Sequence, residues 1–149
     1  EILAPVSGEL VHLENTNDPA FSSRAVGDGV AVVPQEGTVC APVSGTVAAL
    51  FPTEHALGIM SDDSSAQVML HIGIDTVKLE GKGFHALVAQ GDHVDVGQPL
   101  VEVDFDAVRA AGFDPTVFVI VCERSENSTL REHASGPVAV KEPVVWLSE

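Results

Sequence analysis

The chain has 149 residues, 45% hydrophobic and 19% charged, which suits one globular domain spanning 1–149 and excludes a disordered polymer. Its formal net charge is −15, from 22 acidic and 7 basic residues, and Arg24 is the only basic residue before Lys78. That balance excludes nucleic acid and anionic membrane as partners, since both are bound by basic patches; it serves solubility and steers basic partners.

The 13 glycines and 9 prolines are spread along the chain and predict many short strands and turns rather than long helices. No apolar run is long enough to span a bilayer, so direct membrane insertion is not expected. No basic-apolar-small leader is present, and a cytoplasmic location is expected. Cys40 and Cys122 lie in the apolar runs GTVCAP and VFVIVC, which predicts reduced, buried thiols.

In chain order, ILAPVSGELVHL is followed 37 residues on by CAPVSGTVAALF. The shared APVSG precedes an alternating apolar run each time, which predicts a duplicated strand-bend-strand unit. Between the copies lie a polar loop with an isolated Phe21, a turn at Gly27-Asp28-Gly29 and the strand VAVVP. An isolated loop phenylalanine is usually tucked into the nearest core; otherwise it belongs to an apolar docking patch. After the second copy, TEHALGIM and QVMLHIGI flank SDDSS, the pattern of a β-hairpin. Further on, GDHVDVGQPLVEVD reads as one tight strand-turn-strand unit of the kind found in lipoyl- and biotinyl-like domains. Asp104 is placed to cap a short helix through Phe105 and Val108, ending at Gly112. FDPTVFVIVC reads as a buried strand, SENSTLREHASG as a loop or short helical turn, and PVAVKEPVVWL as two closing strands. The predicted fold is all-β: a compact sandwich or partly closed barrel built from two related hairpin halves, with at most short helical turns.

The hairpin carries the candidate chemistry. A turn centred on Asp63 places His55 opposite His71, and directly opposed residues share a face with Cβ atoms roughly 5 Å apart. A slip of one residue would part the rings. Imidazole is a nucleophile at neutral pH and forms phosphoramidates. A second imidazole can donate to phosphoryl oxygens, and Gly73 brings backbone N–H groups close to such an anion. The same pair could hold zinc, with Asp75 as third ligand. Two unrelated strand-end histidines are the third reading, and the spacing leaves all three open. His12, His85, His93 and His133 stand in polar or turn-rich contexts and read as ordinary surface residues. No G-x-S-x-G elbow or P-loop occurs, and the thiols sit in apolar runs that would raise their pKa.

LAPVSGEL, VGDGVAVVP, APVSGTV, the TEHA segment, LHIGIDTV with GKGF after it, GDHVDVGQPL and the PVVWL end together resemble the glucose-type enzyme IIA of the bacterial phosphoenolpyruvate-dependent sugar phosphotransferase system. The resemblance covers essentially the whole chain and implies a compact β-sandwich (barrel-sandwich hybrid). It implies that His71 accepts a phosphoryl group from the histidine-containing phosphocarrier protein and passes it to a cysteine on the IIB domain of a sugar permease. By the same resemblance His55 stabilises the phosphoryl group and Thr53 orients one of the rings. Asp75 is the acidic residue beside the site, and Phe21, Val26 and Asp18 belong to the docking surface. No cofactor is implied; zinc at the His55/His71 pair and regulatory protein targets are secondary. The loop SDDSSAQ is one residue longer than the usual form, which bears on the register.

Three other functions compete. A lysostaphin-type zinc metallopeptidase uses H-x-G-x-D, which His71 to Asp75 satisfies, but it also needs an H-x-H pair that this sequence lacks. A biotinyl or lipoyl carrier needs a lysine at an exposed turn tip, and neither Met-Lys-Met nor Asp-Lys occurs. A non-catalytic regulatory binding module is the third.

Overall fold

The structure, a computed structural model of the chain, describes residues 1–148. Its strands are short. In the first half, β1 (Ile2–Leu3) and β2 (Gly8–His12) lead to a 3-10 turn at Leu13–Asn15 and a four-residue helix α1 (Pro19–Ser22). Then come β3 (Asp28–Pro34), β4 (Thr38–Cys40), β5 (Gly45–Leu50), β6 (Ala56–Ser61) and β7 (Ala66–Ile72). A 3-10 turn at Thr76–Leu79 leads to β8 (Phe84–Ala86), β9 (His93–Val94), β10 (Pro99–Val103) and helix α2 (Phe105–Ala110). β11 (Val117–Arg124), β12 (Thr129–Glu132), β13 (Gly136–Val138) and β14 (Pro143–Ser148) complete the described chain.

The strands form an eight-stranded sheet in the order β13-β2-β3-β11-β7-β6-β5-β9 and two three-stranded sheets, β1-β14-β12 and β4-β10-β8. All pairings are antiparallel. Strand periodicity then sorts the side chains of the large sheet onto two faces. Along β7, Ala66, Val68, Leu70 and Ile72 are buried and join the main core, which also takes Val39, Leu100, Val101, Val144 and Val145 from the small sheets. The alternate residues face the other way. There Phe118, Ile120 and Ala31 pack with Leu13 and Phe21 in a second, smaller core, with Met69 against it. β11 is buried over Val117–Val121 because it lies at the centre of the sheet with both faces covered.

The repeated APVSG is a structural repeat. Leu3 N donates to Pro42 O at 2.9 Å and Cys40 N to Pro5 O at 2.8 Å, so each copy binds the other reciprocally. Gln35 N donates to Ser7 O and Asp62 N to Ser44 O. The Ser7 and Ser44 hydroxyls accept from Val140 N and Val96 N, both at 2.8 Å. The sheet order is correspondingly palindromic about the β11–β7 pair, with β2, β3 on one side answered by β5, β6 on the other. A Cβ at Gly8 would collide with the Val33 carbonyl oxygen, and one at Gly45 with the Met60 carbonyl oxygen. Only glycine permits the crossing of the two halves at these points.

Helix α2 forms where Asp104 caps it, accepting from Ala107 N at 3.0 Å, and Gly112 follows its end at φ 89°. Three expectations are corrected. The segment read as a loop or short helical turn contains strand β12; its residues are exposed or half-buried, so a polar edge strand carried no apolar alternation to read. The single strand-turn-strand unit over 91–104 is split: β9 pairs with β5 in the large sheet and β10 with β4 and β8 in a small one. Cys40 is buried as predicted, but Cys122 is half-buried; both are free thiols. No helix among the described residues is long and apolar enough to cross a membrane.

Candidate functional site

β6 and β7 form the predicted hairpin, but its register differs by one from the expected pairing. Ala56, not His55, faces His71, and Leu57 faces Leu70. The loop over 62–65 has an even number of residues, so the hairpin has no residue at its centre. Asp63 closes it, accepting from Ser61 Oγ at 2.8 Å and Ser65 N at 2.9 Å, and hydrogen bonding from Ser65, side chain and backbone, and then from Ser61 holds its carboxyl down at about 2. In a continuous strand this slip would separate the two imidazoles. They meet nonetheless, with ring centroids 5.1 Å apart and planes at 86°. The reason lies in the backbone: His55 precedes the first residue of β6, directly after Glu54 at φ 62°, and so escapes the strand's alternation.

His71 belongs to a cross-strand row running Val11, Ala31, Phe118, His71, Ala56 over five strands. The row places its ring at the edge of the smaller core. Phe21 lies beneath it at 5.1 Å and stacks on Phe118 at 4.4 Å. His71 Nδ1 donates to Gly73 O at 2.8 Å, which leaves Nε2 with its lone pair. Gly73 itself is at φ 81°, its N donates to Thr116 O at 2.8 Å, and Ile74 N donates to Asp114 O at 2.9 Å. The β7–β11 connection thus fixes the carbonyl that fixes the ring.

His55 is buried and takes another partner. Its Nδ1 shares a 2.5 Å hydrogen bond with Thr53 Oγ1, and its carbonyl accepts from Ile72 N at 2.7 Å. Burial lowers the pKa of His55, and the neighbouring His71 lowers it further. For His71 burial also lowers the pKa, against the opposing pull of the Gly73 carbonyl, Asp18 and Asp75. Both rings are therefore neutral at pH 7.

The structure brings His55, His71, Thr53 and Phe21 into contact and sets the Asp18 and Asp75 charges within range of His71. Asp18 caps α1, accepting from Ala20 N at 3.0 Å, and Asp75 is exposed at φ 61°. Val26 is exposed on the loop between α1 and β3. Phe21, expected on the docking surface, is only 5% exposed, because its ring fills the space between Phe118 and His71. Its face supports the His71 ring from below. Asp75 does not stand as a third ligand beside the two imidazoles: among the described residues no group of three His, Cys, Asp or Glu is placed to hold an ion.

Sequence reasoning missed Phe51, which is 47% exposed and meets His55 edge-on at 5.4 Å. The signal was its place at the end of an apolar run directly before Pro52. It missed the Gly73 carbonyl and the Asp114–Thr116 pair too, because backbone acceptors and contacts between distant strands leave no local pattern.

The sequence and the fold match known proteins. The family model described as phosphoenolpyruvate-dependent sugar phosphotransferase system, EIIA 1, matches residues 1–127. The chain is 41% identical over 144 residues to the glucose-specific EIICBA component of the phosphotransferase system of Streptococcus pneumoniae, covering 97% of this chain and 20% of that protein. It is 42% identical over 147 residues to the β-glucoside-specific EIIBCA component of Bacillus subtilis, covering 99% and 24%. It is 43% identical over 138 residues to the N-acetylglucosamine-specific EIICBA component of Klebsiella pneumoniae, covering 92% and 21%. The chain therefore spans 20% to 24% of the length of these relatives. Among solved structures, glucose permease IIA from Mycoplasma capricolum superposes with a TM-score of 0.88 at 34% identity, covering 97% of this chain and 92% of that one. The fold, the family match over residues 1–127 and the relatives agree: this chain belongs to the EIIA 1 family of the phosphoenolpyruvate-dependent sugar phosphotransferase system.

Proposed function

We propose that this chain carries a phosphoryl group on Nε2 of His71 during sugar uptake, taking it from the histidine-containing phosphocarrier protein and giving it to a cysteine of a IIB domain. The observation that carries the reading is the 2.8 Å bond from His71 Nδ1 to Gly73 O, which leaves Nε2 as the nucleophile of a neutral ring beside a second imidazole. In the first step the Nε2 lone pair attacks phosphorus; the donor's N–P bond breaks and its electron pair returns to the donor imidazole. In the second step the cysteine thiolate attacks, a P–S bond forms, and His71 recovers its lone pair. Neither step draws on a cofactor or a metal.

His55 stabilises the phosphoryl oxygens. With the Thr53 hydroxyl donating to Nδ1, the His55 ring proton sits on Nε2 and is free to donate to the phosphoryl group. Asp18 and Asp75 offer negative charge to basic partners, while Val26 and Phe51 offer exposed apolar surface. The protein works on the cytoplasmic side, docked in turn to the phosphocarrier and to the IIB domain of a permease, and regulatory proteins would bind the same face. The named relatives differ in sugar, and on this reading sugar choice belongs to the membrane component of the permease.

Incubation with phosphoenolpyruvate, enzyme I and the phosphocarrier should add one phosphoryl group, acid-labile and alkali-stable. His71→Ala should take up none, and label on that variant would sink the assignment. His55→Gln should accept the group but pass it on at least about tenfold more slowly, the effect of losing one charge-assisted hydrogen bond. Failure of His55→Gln to accept at all would mean that the two roles are exchanged.

A further inference from the structure

One side chain outside the histidine pair touches both halves of the site. Asp114 lies in the connection leading into β11. Its Oδ1 accepts from Thr116 N at 2.9 Å and from Thr116 Oγ1, and its Oδ2 accepts from Asn17 Nδ2 at 3.0 Å. On one side it thereby shapes the short segment whose carbonyls, Asp114 O and Thr116 O, receive Ile74 N and Gly73 N. That pairing sets the Gly73 carbonyl to which His71 Nδ1 donates. On the other side it holds Asn17, the residue before Asp18, which caps α1 and so places Phe21 under the His71 ring. The Asn17 bond joins parts of the chain 97 residues apart in sequence.

We propose that Asp114 is a positioning residue for phosphoryl transfer, coupling the orientation of the His71 ring to the placement of the Asp18–Phe21 segment. It touches no reacting atom. Burial would raise its pKa, but the bonds from Thr116 and Asn17 outweigh burial and lower it, so the carboxylate stays ionised and bonded at neutral pH. A second constraint works alongside: a Cβ at Gly73 would press on the Thr76 side chain and the Asp114 carbonyl, so the turn has little freedom to find another way of orienting the ring. The proposal rests on His71 as the phosphoryl acceptor for its kinetic part only.

The experiment pairs Asp114→Ala with Asn17→Ala, read by 15N NMR of the His71 ring, by kcat and KM for phosphorylation by the phosphocarrier, and by thermal unfolding. In the unmodified protein His71 should show a single Nδ1–H tautomer. Asp114→Ala should give a tautomer mixture and lower kcat on the order of tenfold. Asn17→Ala should keep the tautomer and kcat but raise KM severalfold, because only the tie to the α1 segment is lost. The exchange Asp114→Asn with Asn17→Asp re-forms a donor-acceptor pair between the two positions and should restore KM. An unchanged ring signature and kcat in Asp114→Ala, or an unchanged KM in Asn17→Ala, overturns the proposal. If Asp114→Ala does not fold, the KM of Asn17→Ala and of the exchange decides. If the unmodified protein takes up no phosphoryl group, the assignment of His71 fails, while the ring signatures still decide the positioning role.

Discussion

Two imidazoles 5.1 Å apart are chemically alike, and they differ here because their Nδ1 atoms have different partners. A carbonyl can only accept, so Gly73 O forces the proton of His71 onto Nδ1. A hydroxyl can donate, so Thr53 lets His55 carry its proton on Nε2. In the proposed transfer one ring is the nucleophile and the other a donor. Burial lowers both pKa values below the ordinary histidine value of 6.5, and two consequences follow for pH. NMR titration should give midpoints below 6.5 for both rings, and phosphoryl uptake should be constant above neutrality and decline only on the acid side. A midpoint at or above 6.5 for His71 would mean that the Gly73 carbonyl, Asp18 and Asp75 together outweigh burial. For stability, the unfolded chain binds more protons between the folded and unfolded pKa values, so this contribution is complete above about pH 6.5 and is lost as pH falls.

At the scale of elements, the β6–β7 hairpin and α1 were unequally legible. Alternating apolar residues around SDDSS were enough to find the hairpin. Its register was not, since a turn of four residues and a turn of three fit the same string. His55 keeps its place beside His71 only because the αL residue Glu54 re-aims the chain before the strand begins. Helix α1 is too short for an apolar period to show, and Phe21 illustrates how two expectations can compete. A lone phenylalanine in a polar loop reads as core; the family resemblance moved it to the docking surface; packing against Phe118 and His71 returns it to the interior. Phe21→Ala should therefore lower the unfolding free energy in urea by about 3–5 kcal/mol, the cost of a large-to-small change in a core. Val26→Ala, at an exposed position, should stay within about 0.5 kcal/mol. An unchanged urea midpoint for Phe21→Ala would restore it to the surface.

For the whole molecule, the duplicated APVSG motif organises the sheets. Each copy crosses the other through reciprocal backbone bonds, and each ends in a glycine packed against a carbonyl of the next strand of its own half. Gly45→Ala should cost about 1–3 kcal/mol through overpacking, with Gly8→Ala costing a similar amount, as measured by thermal unfolding. A clear inequality between the two would show that the halves are not mechanically equivalent. The all-β architecture, the duplication, the α2 cap at Asp104, the buried strand β11 and the identity of the histidine pair were all readable from residue patterns, because each rests on local alternation, a repeated string or a turn residue. What required the fold was long-range. The division of β9 and β10 between sheets, the polar edge strand β12, the burial of Phe21, the exposed Phe51 and the Asp114–Asn17 tie all join segments distant in sequence. Local physics names the strands and marks the two imidazoles. Which nitrogen is free to react depends on a carbonyl held by a loop some 40 residues further along, and only the folded backbone brings that loop to it.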